Sequence, residues 1–253
     1  MDLDLAQQRV LITGASSGIG AATALAFALE GAHLVLVARR AQKLDQVKAD
    51  ILSNTALKPD DITICVCDLE NPIAIEALAA QTGGVDILVN NAGAIPSGGL
   101  MEVSAHAWVE GWQSKVFAYI NMSRAYYPLM KAQGHGVMVN VLGNGSQMKR
   151  ADYLCGGMGN AALDFFTQTL GASSPEDNIR VLGVSPGPVD TERYRRIAKE
   201  RMERGGSVRK YPFDRTARPE EIARMIVFMA SRQASYVSGA IVTVDAGISV
   251  SKK

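Results

Sequence analysis

Apolar residues along this chain fall in short unbroken runs, separated by longer stretches in which they recur with helical spacing. Unbroken runs of Val, Ile and Leu read as strands buried on both faces, and the periodic stretches read as helices packed over them. The first run, Arg9–Thr13, ends in a Gly-rich turn and precedes an Ala-rich helix predicted over Ile19–Leu29. His33–Ala38 is the second strand and Ala41–Leu52 an amphipathic helix. Asp61–Cys67 is the third strand, followed by a helix over Pro72–Gln81 whose Pro suits a first helical turn. Asp86–Asn90 forms the fourth strand, and a long helix is predicted over Ser104–Ala132. Gly136–Leu142 is the fifth strand, Ala161–Leu170 a helix and Ile179–Ser185 the sixth strand. Pro219–Ser231 is a helix and Ala240–Val244 a final strand.

Continuous apolar strands alternating with helices imply an α/β fold: a doubly wound, mostly parallel seven-stranded sheet with helices on both faces, Rossmann-like. No internal repeat or linker divides the chain, so residues 1–253 are expected to form a single domain. The segment Pro186–Arg218, rich in Arg, Glu and Gly, breaks the alternation. Ligands of such folds lie beyond the carboxyl ends of the strands. The segment is therefore expected to be a lid over the site, partly helical from Thr191 to Arg204.

Composition narrows the partners. With 26 basic against 25 acidic residues and a net charge of +1, nothing favours nucleic acid or an anionic membrane. No apolar run reaches the roughly 18–20 residues that span a bilayer. Met1–Gln8 carries two Asp and no basic cluster, unlike a signal peptide. Cys65, Cys67 and Cys155 show no metal spacing and suit reduced thiols in a cytoplasmic protein. His33, His106 and His135 lie far apart and suggest neither a metal site nor a triad.

The candidate chemistry starts at Thr13-Gly14-Ala15-Ser16-Ser17-Gly18-Ile19-Gly20, between the first strand and first helix. A bound diphosphate needs main-chain N–H donors, a positive helix end and no side chains in the way, which Gly14, Gly18 and Gly20 allow. The flanking strand and helix supply the context a dinucleotide site requires. An acidic residue at the end of the second strand would hold a ribose 2′-hydroxyl, whereas Arg accommodates a 2′-phosphate. Here the strand ends Ala38-Arg39-Arg40, which favours NADP(H) over NAD(H), although arginines at strand ends are often simply solvated.

The spacing T-G-x-x-x-G-x-G resembles that of the short-chain dehydrogenase/reductase family, and the likeness extends over nearly the whole chain. Asp68-Leu69 resembles the family's adenine-contacting pair, and Asn90-Asn91-Ala92-Gly93 its turn after the fourth strand. Pro186-Gly187-Pro188-Val189-Asp190-Thr191 is similar to its segment beside the nicotinamide. The tail from Pro219-Glu220-Glu221-Ile222 through Tyr236-Val237-Ser238-Gly239 to Val244-Asp245-Ala246-Gly247 is also typical. The resemblance implies nucleotide contacts from Gly14, Ser16, Ser17, Gly18, Ile19, Gly20, Arg39, Arg40, Asp68, Leu69, Asn90, Ala92, Gly93, Pro186, Gly187, Val189 and Thr191. It also implies a homodimer or homotetramer paired through Ser104–Ala132 and Ala161–Ala172, and a small-molecule substrate.

Members of the family typically use Asn, Ser, Tyr and Lys, with Tyr as acid or base and Lys lowering its pKa. Trp108 and Ser123-Arg124-Ala125 frame the Asn position at Lys115, and Val139-Asn140-Val141 leads to Leu142-Gly143 where Ser-Ser is usual. Asn160-Ala161-Ala162-Leu163 with Phe166-Thr167 aligns with Lys-Ala-Ala-Leu and Phe-Thr. The four positions therefore hold Lys115, Gly143, Gly156 and Asn160. Gly156 has no proton to give, and a positioned general acid is typically worth about 10²–10⁴ in rate, roughly 3–5.5 kcal/mol of barrier. Tyr153, three residues earlier, is the candidate replacement, with Lys115 supplying a charge that depresses its pKa. Against this, Tyr153 reads more readily as a packing residue in a loop, and Lys115 equally as a charge on an exposed or interface helix face. The run Gly156-Gly157-Met158-Gly159 costs a helix around 1 kcal/mol per Gly. Either the helix starts late or something large approaches its backbone. Asn144 and Ser146, in the loop bordering the substrate, are candidates to orient a ligand. Three functions stand open: an oxidoreductase on a small carbonyl or alcohol with a rearranged proton donor, a dehydratase, isomerase or hydrolase on the same scaffold, or a non-catalytic nucleotide-binding protein.

Overall fold

In the computed structural model, which describes residues 1–203 and 211–251, seven strands form one sheet in the order β3-β2-β1-β4-β5-β6-β7. The strands are β1 (Arg9–Thr13), β2 (His33–Ala38), β3 (Ile62–Val66), β4 (Ile87–Asn90), β5 (Gly136–Val141), β6 (Ile179–Pro186) and β7 (Ile241–Val244), and every neighbouring pair is parallel. The helices are α1 (Gly18–Leu29), α2 (Ala41–Asn54), α3 (Pro72–Thr82), α4 (Ala105–Trp112), α5 (Ala118–Gln133), α6 (Gly145–Met148), α7 (Leu154–Ser173), α8 (Glu192–Glu203) and α9 (Pro219–Ala230).

The continuous apolar strands divide their side chains between two cores. Val10, Ile12, Leu34, Leu36, Val139 and Val184 meet Phe27 of α1, Leu44 of α2 and Ile226 of α9 on one face. Leu11, Val35, Val37, Leu88 and Val181 meet Ile75 of α3 and Met122, Tyr126 and Met130 of α5 on the other. Burying each such side chain is worth about 1.5–3 kcal/mol, so neither face tolerates a polar strand residue without a partner. β1 lies between β2 and β4, so the chain turns to opposite sides of the sheet there. The crevice at the carboxyl ends of β1 and β4 is where such folds place ligands.

Two expectations are corrected. The helix expected over Ser104–Ala132 is interrupted by a π-helical turn, Gln113–Phe117, between α4 and α5. Such turns insert one extra residue and cluster at functional sites. Here the Ser114 hydroxyl donates to Ala94 O (2.9 Å) while Lys115 turns toward β5. The helix expected from Ala161 begins at Leu154, so the glycine run lies inside it. Packing offsets the helix cost of those glycines. A Cβ on Gly156 would fall 2.0 Å from Tyr153 Cζ, and one on Gly159 would fall 2.7 Å from Ile95 Cδ1. The expected helix after Thr191 is α8, while Arg204, its expected last residue, and the rest of 204–210 lie outside the described residues. No described helix is long and apolar enough to cross a membrane.

Candidate functional site

The turn after β1 and the turn after β4 are tied together at one threonine. The Thr13 hydroxyl donates to Val89 O (3.2 Å) and accepts from the main-chain N–H groups of Asn91 (2.8 Å) and Ala92 (3.0 Å). The Asn91 amide donates to Thr13 O (3.0 Å). Gly14 and Gly18 hold φ of +66° and +56°, and a Cβ on Gly20 would stand 2.2 Å from Gly14 O. Only glycine closes the turn this tightly. Ser17, at the helix N-cap, forms no side-chain cap bond, so the first N–H groups of α1 remain available to an anion. This cradle fits a diphosphate.

The flanking candidates sit around it. Arg40 donates to the Ser16 hydroxyl (3.4 Å) and Arg39 stands 3.5 Å from Glu70, both arginines being exposed at the end of β2. Asp68 accepts from Glu70 N (3.2 Å) and Leu69 is buried beside it, while Ile19 packs against the core. Beyond Pro186, Gly187 N donates to Val244 O (3.0 Å), and Val189 is buried and bridged to Ala217. The Thr191 hydroxyl accepts from Tyr194 N (3.1 Å), and its methyl group would lie 3.1 Å from a Cβ on Gly18. The segment after β6 therefore closes onto the glycine turn. Gly93 lets the π-turn approach, since a Cβ there would fall 2.6 Å from Lys115 Cβ. Asn90 differs from the expectation. Its fully buried side chain donates to Asn140 Oδ1 (3.0 Å) and lies 3.4 Å from the Ser123 hydroxyl, so only its main chain faces the crevice. These two acceptors hold the Asn90 amide nitrogen in the core, while its Oδ1 is buried without a partner.

Opposite the glycine turn, the sequence-selected positions come together. Lys115 Nζ donates to Leu142 O (2.6 Å) and to Asn160 Oδ1 (3.3 Å), and stands 5.8 Å from the centre of the Tyr119 ring. The Tyr119 hydroxyl donates to Val141 O (2.8 Å), fixing that ring beneath the ammonium. Asn160 also faces Gly143, whose φ of +148° excludes a side chain, and Gly145. A Cβ on Gly145 would fall 2.8 Å from Asn160 Nδ2 and 2.9 Å from Tyr153 Cε1. The Tyr153 ring thus lies over Gly156 and beside Asn160. Its backbone is anchored by Gly157 N donating to Tyr153 O (2.8 Å), and by a bridge to Gly98 supported by Gly98 N donating to Asp152 O (2.9 Å). Among the described residues its hydroxyl makes no hydrogen bond.

The charges here are unevenly compensated. Burial and then the Arg193 charge lower the Lys115 ammonium to about 7, against an opposing pull from Asp164. Burial pushes the Tyr153 phenol above its ordinary value, and the main opposing charge is Arg193, with a smaller one from Arg150. The positive charge acting on Tyr153 thus comes from these arginines, a different source from the Lys115 of the sequence reading. Asp164 is raised by burial, with the Ser146 hydrogen bond and Lys115 opposing, and its Oδ1 lacks a partner.

Sequence reasoning did not single out Asp164, and it took Arg193 only as one of five lid arginines, Arg193 to Arg204, that could face an anionic ligand or simply water. Arg193 was one basic residue among several in the segment after β6, and only the fold carries it 100 positions back to Gly93 O (2.8 Å) and Ile95 O (3.1 Å). Asn144 and Ser146 are held within the protein. Asn144 donates to Asp245 (3.1 Å) and Ser146 to Asp164 (2.6 Å). Among the described residues no group of His, Cys, Asp and Glu could hold a metal.

Comparison with known proteins agrees with this architecture. Residues 14–249 match the family model described as enoyl-(acyl carrier protein) reductase. The chain is 31% identical over 245 residues to the 3-oxoacyl-[acyl-carrier-protein] reductase FabG of Thermotoga maritima, covering 94% of this chain and 96% of that one. It superposes on L-sorbose reductase of Gluconobacter frateurii, complexed with NADPH and L-sorbose, with a TM-score of 0.89 at 31% identity and full coverage of both chains. A short chain oxidoreductase of Pseudomonas aeruginosa containing an atypical catalytic center superposes with a TM-score of 0.87 at 26% identity, covering 98% of this chain and 100% of that one. A tight glycine turn after β1, tied to an Asn-Asn-Ala-Gly turn in a seven-stranded parallel sheet, and relatives matched along their length lead to one assignment: this chain belongs to the short-chain dehydrogenase/reductase family.

Proposed function

We propose that the chain is an NADP(H)-dependent oxidoreductase of a small carbonyl or alcohol compound, with Tyr153 as its proton carrier. One observation carries this reading: the phenol ring of Tyr153 fills the space above Gly156, and among the described residues its hydroxyl has no hydrogen-bond partner. A phenol held there stands one helical turn upstream of the position the family resemblance expects, yet over that same position. The nucleotide, when bound, supplies or accepts a hydride. Gly14, Ser16, Ser17, Gly18, Ile19 and Gly20 hold its diphosphate. Arg39 and Arg40 hold a 2′-phosphate, Asp68 and Leu69 border the adenine, and Asn90 (by its main chain), Ala92, Gly93, Pro186, Gly187, Val189 and Thr191 line the ribose and nicotinamide end. Reduction of a carbonyl takes the hydride at carbon and a proton from the Tyr153 hydroxyl at oxygen; oxidation of the alcohol reverses both.

Lys115 and Asn160 support this assignment as a pair. The resemblance expects an amide at 115 and an ammonium at 160, and here the two are exchanged. Because Lys115 Nζ lies 3.3 Å from Asn160 Oδ1, a positive charge still stands beside the residue at 160. Lys115 orients that amide, which lies beside the Tyr153 ring, and holds a charge on the α7 side of the crevice. The NADPH complex of the sorbose reductase and the atypical centre of the Pseudomonas oxidoreductase favour this reading over a non-catalytic one. Of the segment 186–218, the described residues 186–203 and 211–218 serve as the lid, and 204–210 lie outside the described residues. The exposed apolar side chains Val109, Phe117 and Phe165 on α4, the π-turn and α7 suit assembly as a homodimer or homotetramer, and the three buried free cysteines suit a cytoplasmic setting.

The test follows reduced-nucleotide absorbance with NADPH or NADP⁺ and a panel of carbonyls and alcohols, together with equilibrium nucleotide binding. Turnover that falls about 10²–10⁴-fold in Tyr153→Phe, with nucleotide affinity unchanged, is the expected result. Unchanged turnover in that variant removes Tyr153 from the chemistry. Nucleotide binding with no turnover across the panel assigns the chain to a non-redox or non-catalytic role.

A further inference from the structure

Arg193 stands on the first turn of α8 and points back across the crevice, donating from Nη1 to Gly93 O (2.8 Å) and from Nη2 to Ile95 O (3.1 Å). Both acceptors are neutral carbonyls. A guanidinium carries five N–H donors and a charge that never leaves it, and withdrawing such a group from water without an anion is unfavourable. The neighbouring carboxylates are engaged elsewhere. Asp190 accepts from Arg195 (2.7 Å), Glu192 pairs with Lys43 (3.3 Å), Asp152 pairs with Arg150, and Asp164 is held by Ser146 (2.6 Å). Among the described residues Arg193 has no carboxylate partner. It is half-buried, and the Gly93–Ile95 turn it grips packs against Lys115 on one side and Gly159 of α7 on the other, near enough for its charge to act on Lys115 and Tyr153.

We propose that Arg193 reads an anionic group on the substrate, so that the compound turned over is a carbonyl or hydroxy acid whose carboxylate pairs with this guanidinium while its carbonyl or hydroxyl oxygen meets Tyr153. The inference rests on the oxidoreductase reading and gives it a substrate class. Arg193 acts by positioning. The planar fork of the guanidinium suits two carboxylate oxygens at once, which orients the acid as well as attracting it. An uncharged analogue of the same shape leaves the guanidinium without its counterion, and a site built for a charged partner discriminates strongly against such an analogue.

The experiment compares short oxo acids with their methyl esters, in turnover with NADPH and in equilibrium binding to the protein saturated with NADP⁺. Parent protein is expected to show KM and Kd about 10- to 100-fold lower for the acids. Arg193→Gln is expected to erase that difference, mainly through KM, and Arg193→Lys to restore part of it. NADPH affinity and melting temperature of the variants confirm that the fold is intact. Equal loss for acid and ester in Arg193→Gln means that Arg193 merely straps α8 to the loop after β4, and overturns the inference. Turnover that never distinguishes acids from esters overturns it as well, and leaves the oxidoreductase reading standing. Acid binding that depends on Arg193 without any turnover supports the anion site and sinks the oxidoreductase reading.

Discussion

The ring of Tyr153 lies where the side chain of residue 156 would begin: a Cβ on Gly156 would fall 2.0 Å from Tyr153 Cζ. The two residues occupy one volume in turn, so the missing side chain at 156 and the presence of a phenol at 153 are one structural fact. This makes Gly156 a tight packing position as well as a vacated functional one.

Gly156→Ala therefore has no room unless the ring moves. The substitution should favour the helix by about 1 kcal/mol in isolation. We expect turnover to fall at least as far as in Tyr153→Phe, because the displaced phenol leaves the crevice, with nucleotide affinity retained. Stopped-flow absorbance and a nucleotide titration measure the two separately. Full activity in Gly156→Ala removes the ring-over-glycine geometry from the mechanism.

Lys115 should impose a pH limb. Its ammonium, lowered to about 7 chiefly by burial and then by Arg193, loses its proton as pH rises through that value. If its charge assists the reaction, kcat/KM declines above about 7, and Lys115→Gln flattens this limb while lowering the plateau. Stability moves the other way. The unfolded chain holds that proton up to about 10.4, so it binds more protons than the folded chain between the two values, and stability rises with pH across that window. Urea titrations of parent and Lys115→Met at several pH values read out the difference, which is largest below about 7.

Arg40 should set cofactor preference. Its guanidinium reaches the glycine turn at Ser16 (3.4 Å), whereas Arg39 faces Glu70. Arg40→Ala is expected to weaken NADPH about 10- to 100-fold, the worth of a charge-assisted hydrogen bond, and to leave NADH within a few-fold. Equal loss of both nucleotides would show that Arg40 supports the loop rather than a 2′-phosphate.

Arg180 should carry stability without touching activity. From β6 it donates to the carbonyls of Met229, Ala230, Ser231, Ala234 and Val237 at 2.8–3.4 Å, closing the C-terminus of α9. Ser231 O also accepts from Ala234 N (3.2 Å) and Ala234 O from Val237 N (2.9 Å), so for these two the guanidinium is an added partner. Burial holds the guanidinium pKa below its ordinary value, and Arg180→Met takes a charged donor from all five carbonyls at once. We expect a loss of about 3 kcal/mol in chemical denaturation, with KM unchanged. A loss below about 1 kcal/mol would mean that water replaces the guanidinium.

The layered sheet, its parallel strands and the glycine cradle were legible in the amino-acid order alone, because they depend on local causes. Unbroken apolar runs have to be covered on both faces, and Gly14, Gly18 and Gly20 announce a turn with no room for side chains. The same local reasoning misplaced the start of α7. Helix propensity counts the cost of Gly156, Gly157 and Gly159 but not the Tyr153 ring or the Ile95 side chain that makes those glycines necessary. It also carried the helix straight through Gln113–Phe117, where the π-turn aims Lys115 at Leu142 and Asn160. The turning inward of Asn90, the exchange of ammonium and amide between 115 and 160, and the reach of Arg193 to Gly93 join residues tens of positions apart. Such contacts follow from how the elements stack, and no periodicity along the chain encodes them. The amino-acid order determined where the glycine turn and its sheet lie, and only the tertiary structure decided which charges surround them.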